Sequence, residues 1–438
     1  MSASPALKRS RRARLLLGLL AWLPAATWAY LLVGRGRFWS TSTRLPPRPP
    51  RPPRPPRPPR PPRPPRPPRP ADGPDGDGAV RAERRWPAVA IVVPARDEAD
   101  LLPHTLPTLL AQDYPGPALV VLVDDRSTDG TADQARALAD AAPSAKLDLR
   151  VVAGQPRPPG WAGKPWAMAQ GAAAALGTTP RPEWLLFTDA DIAHPPSSLR
   201  RLVEAASDDA RSAVSLMARL STDGIWERLL MPAFVYFFAQ IYPFRWVNDR
   251  ERGTAAAAGG CLLVEVRALA EAGGIGAIAT STIDDVALAR AVKGAGFDIW
   301  LGLAGEGGAD DAPRVESLRR YPRLAGIWEM VARNAYTQLH YNPAFLAGTV
   351  AGLGALYLSP PLLVAAGLAT RRPVLATAGV AAWTAMTATY LPIVRYYGAP
   401  PAQALALPFT ASLYAAMTVS SARQHGKGTS AWKGRPTM

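Results

Sequence analysis

The sequence predicts an α/β domain with a mixed or parallel sheet, joined to α-helical transmembrane segments. Three observations support this fold class. Between residues 84 and 311, short β-branched runs alternate with alanine-rich stretches of helical character, which is the pattern of strand–helix–strand units. The strand-like runs are apolar throughout, as expected for parallel strands covered on both faces. Outside this region, four long stretches carry no charge and are long enough to cross a bilayer.

Residues 1–34 are predicted to form an N-terminal transmembrane anchor. Residues 15–34 are uncharged and follow five basic residues, Lys8, Arg9, Arg11, Arg12 and Arg14. At about 1.5 Å per residue, a helix of this length spans roughly 30 Å, the thickness of the hydrocarbon core. A cleaved signal peptide is the alternative, but no polar stretch with a small-x-small site follows the apolar run.

Residues 35–83 are assigned to a disordered linker dominated by Pro-Pro-Arg repeats. Proline fixes φ and lacks an amide donor, so we expect an extended polyproline II tether. A ligand for a proline-binding domain or a basic contact with anionic lipid are the alternatives. The net charge is +16, but eight of the arginines lie in this tract. Since no basic–aromatic pattern remains on the central domain, we expect no nucleic-acid partner. The single cysteine, Cys261, excludes an internally disulfide-bonded scaffold.

Residues 342–422 are predicted to form C-terminal transmembrane helices at 342–370, 373–394 and 396–422, followed by a tail at 423–438. A soluble helical domain is the alternative. Residues 225–247 are also apolar, but only residues 229–244 are charge-free and Pro232 interrupts them, so this stretch is too short to span. We expect an interfacial helix there, with a buried core helix as the alternative. Basic residues after the first apolar stretch favour a cytoplasmic central domain, although three terminal spans would then place the basic tail outside.

Residues 84–341 are predicted to form the central domain. We expect its strands at 88–93, 119–123, 149–152 and 184–188, and its helices at 101–112, 131–141, 165–175 and 196–206. In parallel sheets, ligands bind beyond the carboxyl ends of the strands. The residues that directly follow each strand are therefore the first candidates for a functional site.

Acidic residues follow three of these strands: Glu98 the first, Asp124 and Asp125 the second, and Asp189 and Asp191 the last. Several carboxylates at one sheet edge are unfavourable unless cations or hydrogen-bond donors bind there. The base and ribose of a nucleotide offer such donors. Asp189 and Asp191 offer the hard oxygen ligands that suit Mg²⁺ or Mn²⁺. Solvated turns and helix capping are the alternatives for these acids.

Four sequence blocks occur in a distinctive order. Residues 123–131 read Val-Asp-Asp-x-Ser-x-Asp-Gly-Thr, residues 163–164 read Gly-Lys, residues 188–191 read Thr-Asp-Ala-Asp, and residues 282–288 contain Asp284-Asp285 before a helix. Together they resemble the inverting family 2 glycosyltransferases, whose fold is the Rossmann-like GT-A fold. The resemblance covers about residues 86–341, with Asp284 in place of the usual glutamate.

The resemblance implies an enzyme that uses a nucleotide-sugar donor, here a UDP-sugar. Asp285 would be the general base that takes the proton of the acceptor hydroxyl, and Asp284 would cap the following helix. Asp189 and Asp191 would hold Mg²⁺ or Mn²⁺ at the departing diphosphate. The residues expected to bind the donor are Glu98, Asp124, Asp125, Lys164, Asp189 and Arg333.

Further blocks at 160–164, 230–232, 258–261 and 330–339 resemble the hopene-associated glycosyltransferases of bacterial hopanoid gene sets, and more distantly ceramide glucosyltransferase. This resemblance implies a lipid acceptor and a multi-pass protein of the bacterial inner membrane with its catalytic domain in the cytoplasm. The Gln/Arg-x-x-Arg-Trp motif of processive relatives is missing: its nearest segment, 330–334, keeps only Arg333. This departure argues against a processive polysaccharide synthase.

Two other functions stay open at this point. A sugar nucleotidyltransferase would usually carry a glycine-rich phosphate loop after the first strand, but residues 94–98 contain no glycine. A non-catalytic membrane scaffold would use the proline tract as a docking site. Metal-dependent binding of UDP distinguishes the enzyme from the scaffold.

Overall fold

The computed structural model describes residues 18–46, 85–142, 145–306 and 314–427, and the short pairs 431–432 and 435–436. It confirms the predicted α/β class: within these residues, eight strands form one mixed, mostly parallel sheet in the order β1-β9-β7-β8-β5-β2-β3-β4. The strands of this sheet are β1 (Arg44–Leu45), β2 (Val89–Ala95), β3 (Ala118–Asp124), β4 (Asp148–Ala153), β5 (Trp184–Phe187), β7 (Ala213–Met217), β8 (Leu262–Glu265) and β9 (Ile299–Glu306). Two short antiparallel pairs are β6 (Ile192–Ala193) with β10 (Glu316–Ser317) and β11 (Ala431–Trp432) with β12 (Arg435–Pro436).

Helices cover the sheet and form a bundle after it. Those within the first part of the chain and the central domain are α1 (Leu23–Val33), α2 (Leu102–Leu110), α3 (Thr131–Asp140), α4 (Gly163–Leu176), α5 (Ser198–Asp208), α6 (Ile225–Ile241), α7 (Phe244–Val247), α8 (Val266–Glu271), α9 (Asp284–Gly294) and α10 (Leu324–Ala335). The later helices are α11 (Pro343–Leu353), α12 (Ser359–Ala369), α13 (Pro373–Tyr396) and α14 (Leu407–Gly426). Single turns occur at Ile275–Ile278, Thr337–Leu339, Gly354–Leu358 and Pro401–Ala406.

The parallel part of the sheet agrees with the sequence prediction. β2 pairs in parallel with β3 and β5, and β3 pairs in parallel with β4. Residues on both faces of β2 are buried, as its uninterrupted apolar sequence requires. β8 is the exception, because it runs antiparallel between β5 and β7. Its reversed direction brings the residues that precede it to the edge where β2, β3 and β5 end.

The segment after α1 is part of the folded domain, although the sequence assigned residues 35–83 to a linker. Arg35 donates to the Gln240 carbonyl over 3.0 Å, and β1 pairs in parallel with β9. The Pro46 carbonyl accepts a hydrogen bond from Arg201. Backbone pairing at the sheet edge therefore orders residues 35–46. The Pro-Pro-Arg repeats that follow lie outside the described residues.

Three described helices are long and apolar enough to cross a membrane: Pro343–Ala369, Pro373–Tyr396 and Pro401–Gly426. A shorter apolar helix, Gly18–Val33, packs against the first two of them. Its Trp28 indole donates to the Leu356 carbonyl over 2.9 Å, and its ring meets Tyr357 edge to face at 5.3 Å. The N-terminal apolar helix is thus one member of the bundle.

The interfacial helix expected at residues 225–247 is a buried helix instead, followed by the short α7. In α6, Tyr236 is 2% exposed and its hydroxyl hydrogen-bonds to Thr389 at 2.8 Å. The Leu230 carbonyl accepts from the Tyr414 hydroxyl at 2.9 Å. The apolar residues of α6 are covered by α10, α13 and α14, so this helix connects the central domain to the bundle.

Candidate active site

The acidic residues singled out in the sequence meet at one edge of the sheet. Asp189 follows β5, Glu98 follows β2 and Asp125 follows β3. Lys164 lies in the first turn of α4, and Asp285 lies in the first turn of α9. A small cavity joins four of the charged residues, since Lys164, Asp189, Asp284 and Asp285 all line it.

A lysine holds two of these carboxylates together. Lys164 Nζ lies 2.7 Å from Asp189 Oδ1 and 3.2 Å from Asp284 Oδ2. Burial alone would lower the pKa of Lys164, but the carboxylates of Asp189 and Asp284 outweigh it and raise that pKa well above its ordinary value. The ammonium therefore remains charged.

Asp285 is fixed by backbone donors. Its Oδ2 accepts from the Gly259 amide and its Oδ1 from the Val286 amide, both over 2.7 Å. A Cβ at position 259 would lie 3.0 Å from Lys164 Nζ and 3.3 Å from Asp285 Oδ2, a tight fit that favours glycine there. Burial, with repulsion from Asp284, raises the pKa of Asp285 to about 7.

Asp284 lies in the first turn of α9, where an acid favours the helix dipole as expected, but it makes no capping hydrogen bond with a described residue. The N-cap position of α9 is Ile283, which makes no side-chain cap hydrogen bond, and the Asp284 carboxylate turns to Lys164 instead. The physical reason is position, because Asp284 is the first residue of the helix and not its N-cap, and Lys164 lies within reach of its carboxylate.

In Asp189 and in Asp191, one carboxylate oxygen contacts a positively charged side chain, Lys164 or Arg319 respectively. Asp191 Oδ2 accepts from Arg319 Nε over 3.1 Å and from Ser317 Oγ over 3.0 Å. Burial raises the pKa of Asp189 to about 6; Lys164 opposes this shift, and repulsion from Asp191 and Asp284 adds to it.

Arg319 is the site residue that the sequence analysis missed. Its Nη2 donates to Glu98 Oε1 over 2.6 Å and to Oε2 over 2.7 Å. The sequence assigned Glu98 to the nucleotide, but in the structure its carboxylate binds this guanidinium. Arg319 follows the short strand β10 far along the chain, and the sequence signal that could have pointed to it is only the basic pair at 319–320.

Asp124 and Asp125 lie where hydrogen bonds join the loops after β2 and β3. The Asp125 amide donates to the Ala95 carbonyl over 2.7 Å, and the Asp125 carbonyl accepts from Arg96 over 2.6 Å. Asp124 Oδ1 accepts from the Ser127 amide over 3.3 Å. Asp125 is 2% exposed, so its carboxylate sits within this loop pair at the sheet edge.

Arg333 lies in the last turn of α10 and is partly buried. It makes no hydrogen bond or ion pair with any described residue. Burial lowers its pKa; Tyr321 opposes that shift, nearby Arg319 adds to it, and Asp189 opposes it. An arginine without a partner beside these acids is suited to an incoming anion.

His194 is a structural residue of the core. Its Nε2 hydrogen-bonds to Thr188 Oγ1 at 2.8 Å and its Nδ1 to Ser198 Oγ at 3.1 Å. Burial lowers the pKa of His194 to about 3, so the ring is neutral. Because hydroxyl groups occupy both ring nitrogens, the histidine has no nitrogen left for a metal ion.

Within the described ranges, no group of three or more histidine, cysteine or acidic side chains could hold a metal ion. Asp189 Oδ2 and Asp191 Oδ1, however, make no hydrogen bond to a described residue. Two carboxylate oxygens suit a cation such as Mg²⁺, which usually takes one or two protein carboxylates and completes its shell with phosphate oxygens and water. The donor set therefore fits a divalent cation that binds together with a diphosphate.

The chain is similar in fold to several solved enzymes. Mannosyltransferase PcManGT from Pyrobaculum calidifontis, in complex with GDP-Man and Mn²⁺, is 21% identical, with 78% of this chain and 90% of that chain covered and a TM-score of 0.44. S. aureus TarS 1–349 in complex with UDP-GlcNAc is 14% identical, with 78% and 92% covered and a TM-score of 0.35. Mannosyl-3-phosphoglycerate synthase from Rubrobacter xylanophilus is 16% identical, with 58% and 74% covered and a TM-score of 0.34.

No curated protein matches the chain. Residues 87–304 match a protein-family model described as "Glycosyltransferase like family 2". This span begins just before β2 and ends within β9, so it contains the strand ends and helix N-termini that form the acidic edge. Residues 87–304 therefore form a glycosyltransferase family 2 domain with the GT-A fold, and the chain is a glycosyltransferase, as its sequence predicted.

Proposed function

We propose that this glycosyltransferase moves a sugar from a UDP-sugar to the hydroxyl group of a lipid, with inversion at the anomeric carbon. The observation that carries the proposal is the position of Asp285, a half-buried carboxylate beside the Lys164–Asp189–Asp284 cluster. A base adjacent to a phosphate-binding edge is the arrangement that direct displacement of a diphosphate requires.

The donor would bind along the sheet edge. The loops that contain Asp124 and Asp125 would hold the nucleoside, and Lys164 and Arg333 would contact the phosphates. Arg333 supports this assignment because it has no partner among the described residues. Asp189 and Asp191 would hold Mg²⁺ or Mn²⁺, and the bound cation would stabilise negative charge on the departing diphosphate.

Asp285 would accept the proton of the acceptor hydroxyl as that oxygen attacks the anomeric carbon. Two backbone amides orient its carboxylate, and burial raises its pKa to about 7, which strengthens it as a base near neutral pH. A single displacement from the face opposite the diphosphate inverts the anomeric centre.

The attachment of the domain to the apolar bundle supports a lipid acceptor. Helix α6 packs against both α13 and α14, and α10, which contains Arg333, packs against α14. A lipid in the bilayer would thus meet the domain close to the donor phosphates. The sequence resemblance favours a hopanoid-type acceptor, and we place the protein in the bacterial inner membrane with its domain in the cytoplasm.

The test is product formation in membranes that contain the full chain. Membranes supplied with a labelled UDP-sugar, Mn²⁺ and a hydroxylated polycyclic lipid should yield a labelled glycolipid, identified by mass spectrometry. EDTA and Asp191→Ala should each lower the amount of product at least about 100-fold, because no cation would then stabilise the negative charge on the departing diphosphate. Undiminished product in EDTA would contradict the metal role, and labelled soluble sugar without lipid product would contradict the lipid acceptor.

Turnover should increase with pH through about 7 and level off above it. The pKa of Asp285 rises from 3.8 to about 7 in the folded protein, and only the unprotonated carboxylate acts as a base. Stability should change in the opposite direction: the raised pKa stabilises the fold fully below about 3.8, and this contribution is lost as the pH rises through 7. A pH–rate profile checks the prediction; a midpoint near 4 would contradict it.

A further inference from the structure

We propose that Arg319 is a positioning residue whose positive charge beside Asp191 disfavours a divalent cation alone and favours the cation together with the donor, so that the cation binds with the donor and not before it. The inference rests on the proposed function, because it takes the Asp189–Asp191 edge as the donor site. It adds a residue and an order of binding to that function.

The contacts of Arg319 join two loops. Its Nη2 bonds both oxygens of Glu98, which follows β2, and its Nε bonds Asp191 Oδ2, which follows β5. The side chains of Glu98 and Asp191 are 9% and 14% exposed, whereas that of Arg319 is 31% exposed. The guanidinium therefore lies on the open side of both carboxylates, where ligands approach, and its Nη1 donates to no described residue.

The backbone around Arg319 is held independently of its side chain. β10 pairs with β6 through Glu316 and Ser317, and the Leu318 amide donates to the Asp191 carbonyl over 2.8 Å. On the other side, the Tyr321 amide donates to the buried carboxylate of Glu227 in α6. The guanidinium can thus be removed while the segment stays in place.

The charges explain why this guanidinium affects a cation. One carboxylate oxygen of Asp191 contacts Arg319, and one carboxylate oxygen of Asp189 contacts Lys164. A divalent cation alone would be attracted by these two acids and repelled by the adjacent guanidinium. When the diphosphate is present, the same guanidinium attracts the ligand, and its bond to Oδ2 keeps Asp191 Oδ1 oriented toward the cation. Arg319 therefore opposes the cation alone and favours the cation together with the diphosphate.

Arg319→Gln separates the two effects. In the detergent-solubilised full chain, Mn²⁺ binding without nucleotide is followed by electron paramagnetic resonance, and UDP binding at saturating Mn²⁺ is followed by calorimetry. We expect the affinity for Mn²⁺ alone to rise about tenfold, the scale of the repulsion between a guanidinium and a divalent cation about 6 Å apart at the dielectric constant of water, and the affinity for UDP to fall about tenfold.

Two variants serve as controls. Arg319→Lys keeps the charge and loses the planar fork, so Mn²⁺ affinity should stay near that of the wild type while UDP affinity falls partway. Arg320→Gln removes the neighbouring arginine, whose side chain is 72% exposed and pairs with Asp223 at 3.0 Å. This second variant should change neither affinity.

A loss of folding cannot raise the affinity for Mn²⁺ and lower the affinity for UDP, because unfolding would lower both affinities together. Unchanged or weaker binding of Mn²⁺ alone by Arg319→Gln, in a protein whose wild type binds UDP with Mn²⁺, would overturn this inference and leave the proposed function standing. Failure of the wild type to bind UDP in the presence of Mn²⁺ would overturn the proposed function first.

Discussion

Asp285→Asn is expected to lower turnover by about 10³-fold, within the range that a general base contributes. The amide keeps the size of the side chain but cannot take the acceptor proton. Nucleotide binding should remain within a few-fold of the wild type, because Asp285 bonds the Gly259 and Val286 amides and not Lys164. Single-turnover rates and UDP calorimetry on the same preparation measure the two effects separately.

Asp284→Asn is the matched comparison, since it changes the adjacent carboxylate in the same helix turn. Asp284 pairs with Lys164, so this variant should weaken donor binding and retain most of the turnover at saturating donor. If Asp285→Asn stays active and Asp284→Asn does not, the assignment of the base to Asp285 is wrong.

Lys164→Met should have the second large effect. It removes the ammonium between Asp189 and Asp284, and breaking a poorly exposed ion pair in this way leaves its carboxylates uncompensated. Because Asp189 is partly exposed, we expect a loss of about 2 kcal/mol in stability, below the range for fully buried pairs, together with at least about 100-fold weaker UDP binding. Lys164 also lowers the pKa of Asp285, so the midpoint of the pH–rate profile should move above 7.

Lys293→Met is the control variant, because it should lower stability without weakening UDP binding. Lys293 Nζ donates to the carbonyls of Val247, Asp249 and Thr254 over 2.7–2.9 Å, at the opposite end of α9 from Asp285. This variant should also be less stable in thermal unfolding, while its folded fraction binds UDP like the wild type. Equal UDP affinity in the wild type and Lys164→Met would exclude a donor role for Lys164.

The parallel half of the fold could be predicted because its signals are local. The strands predicted at 88–93 and 119–123 correspond to Val89–Ala95 and Ala118–Asp124, since uninterrupted apolar runs identify buried parallel strands. Acids placed directly after such strands must share one edge, and this topological rule predicts a single site without coordinates.

The remaining features depend on contacts between distant parts of the chain. β1 pairs with β9 across more than 250 residues, and two residues of extended chain give no recognisable pattern in a sequence. Arg319 meets Glu98 only because β10 pairs with β6. The partners of Asp284 and Asp285 could not be predicted either, because adjacent acids at the start of a helix look alike until Lys164 and Gly259 are placed.

The anchoring of residues 35–46 on the sheet has a consequence for the repeats that follow. Pro46 is bonded to Arg201 at one end, and beyond the repeats Arg85 pairs with Glu183 at 2.8 Å. Residues 46 and 85 thus both contact the central domain, so we expect that adding or deleting triplets between them leaves the position of the domain relative to the apolar helices unchanged.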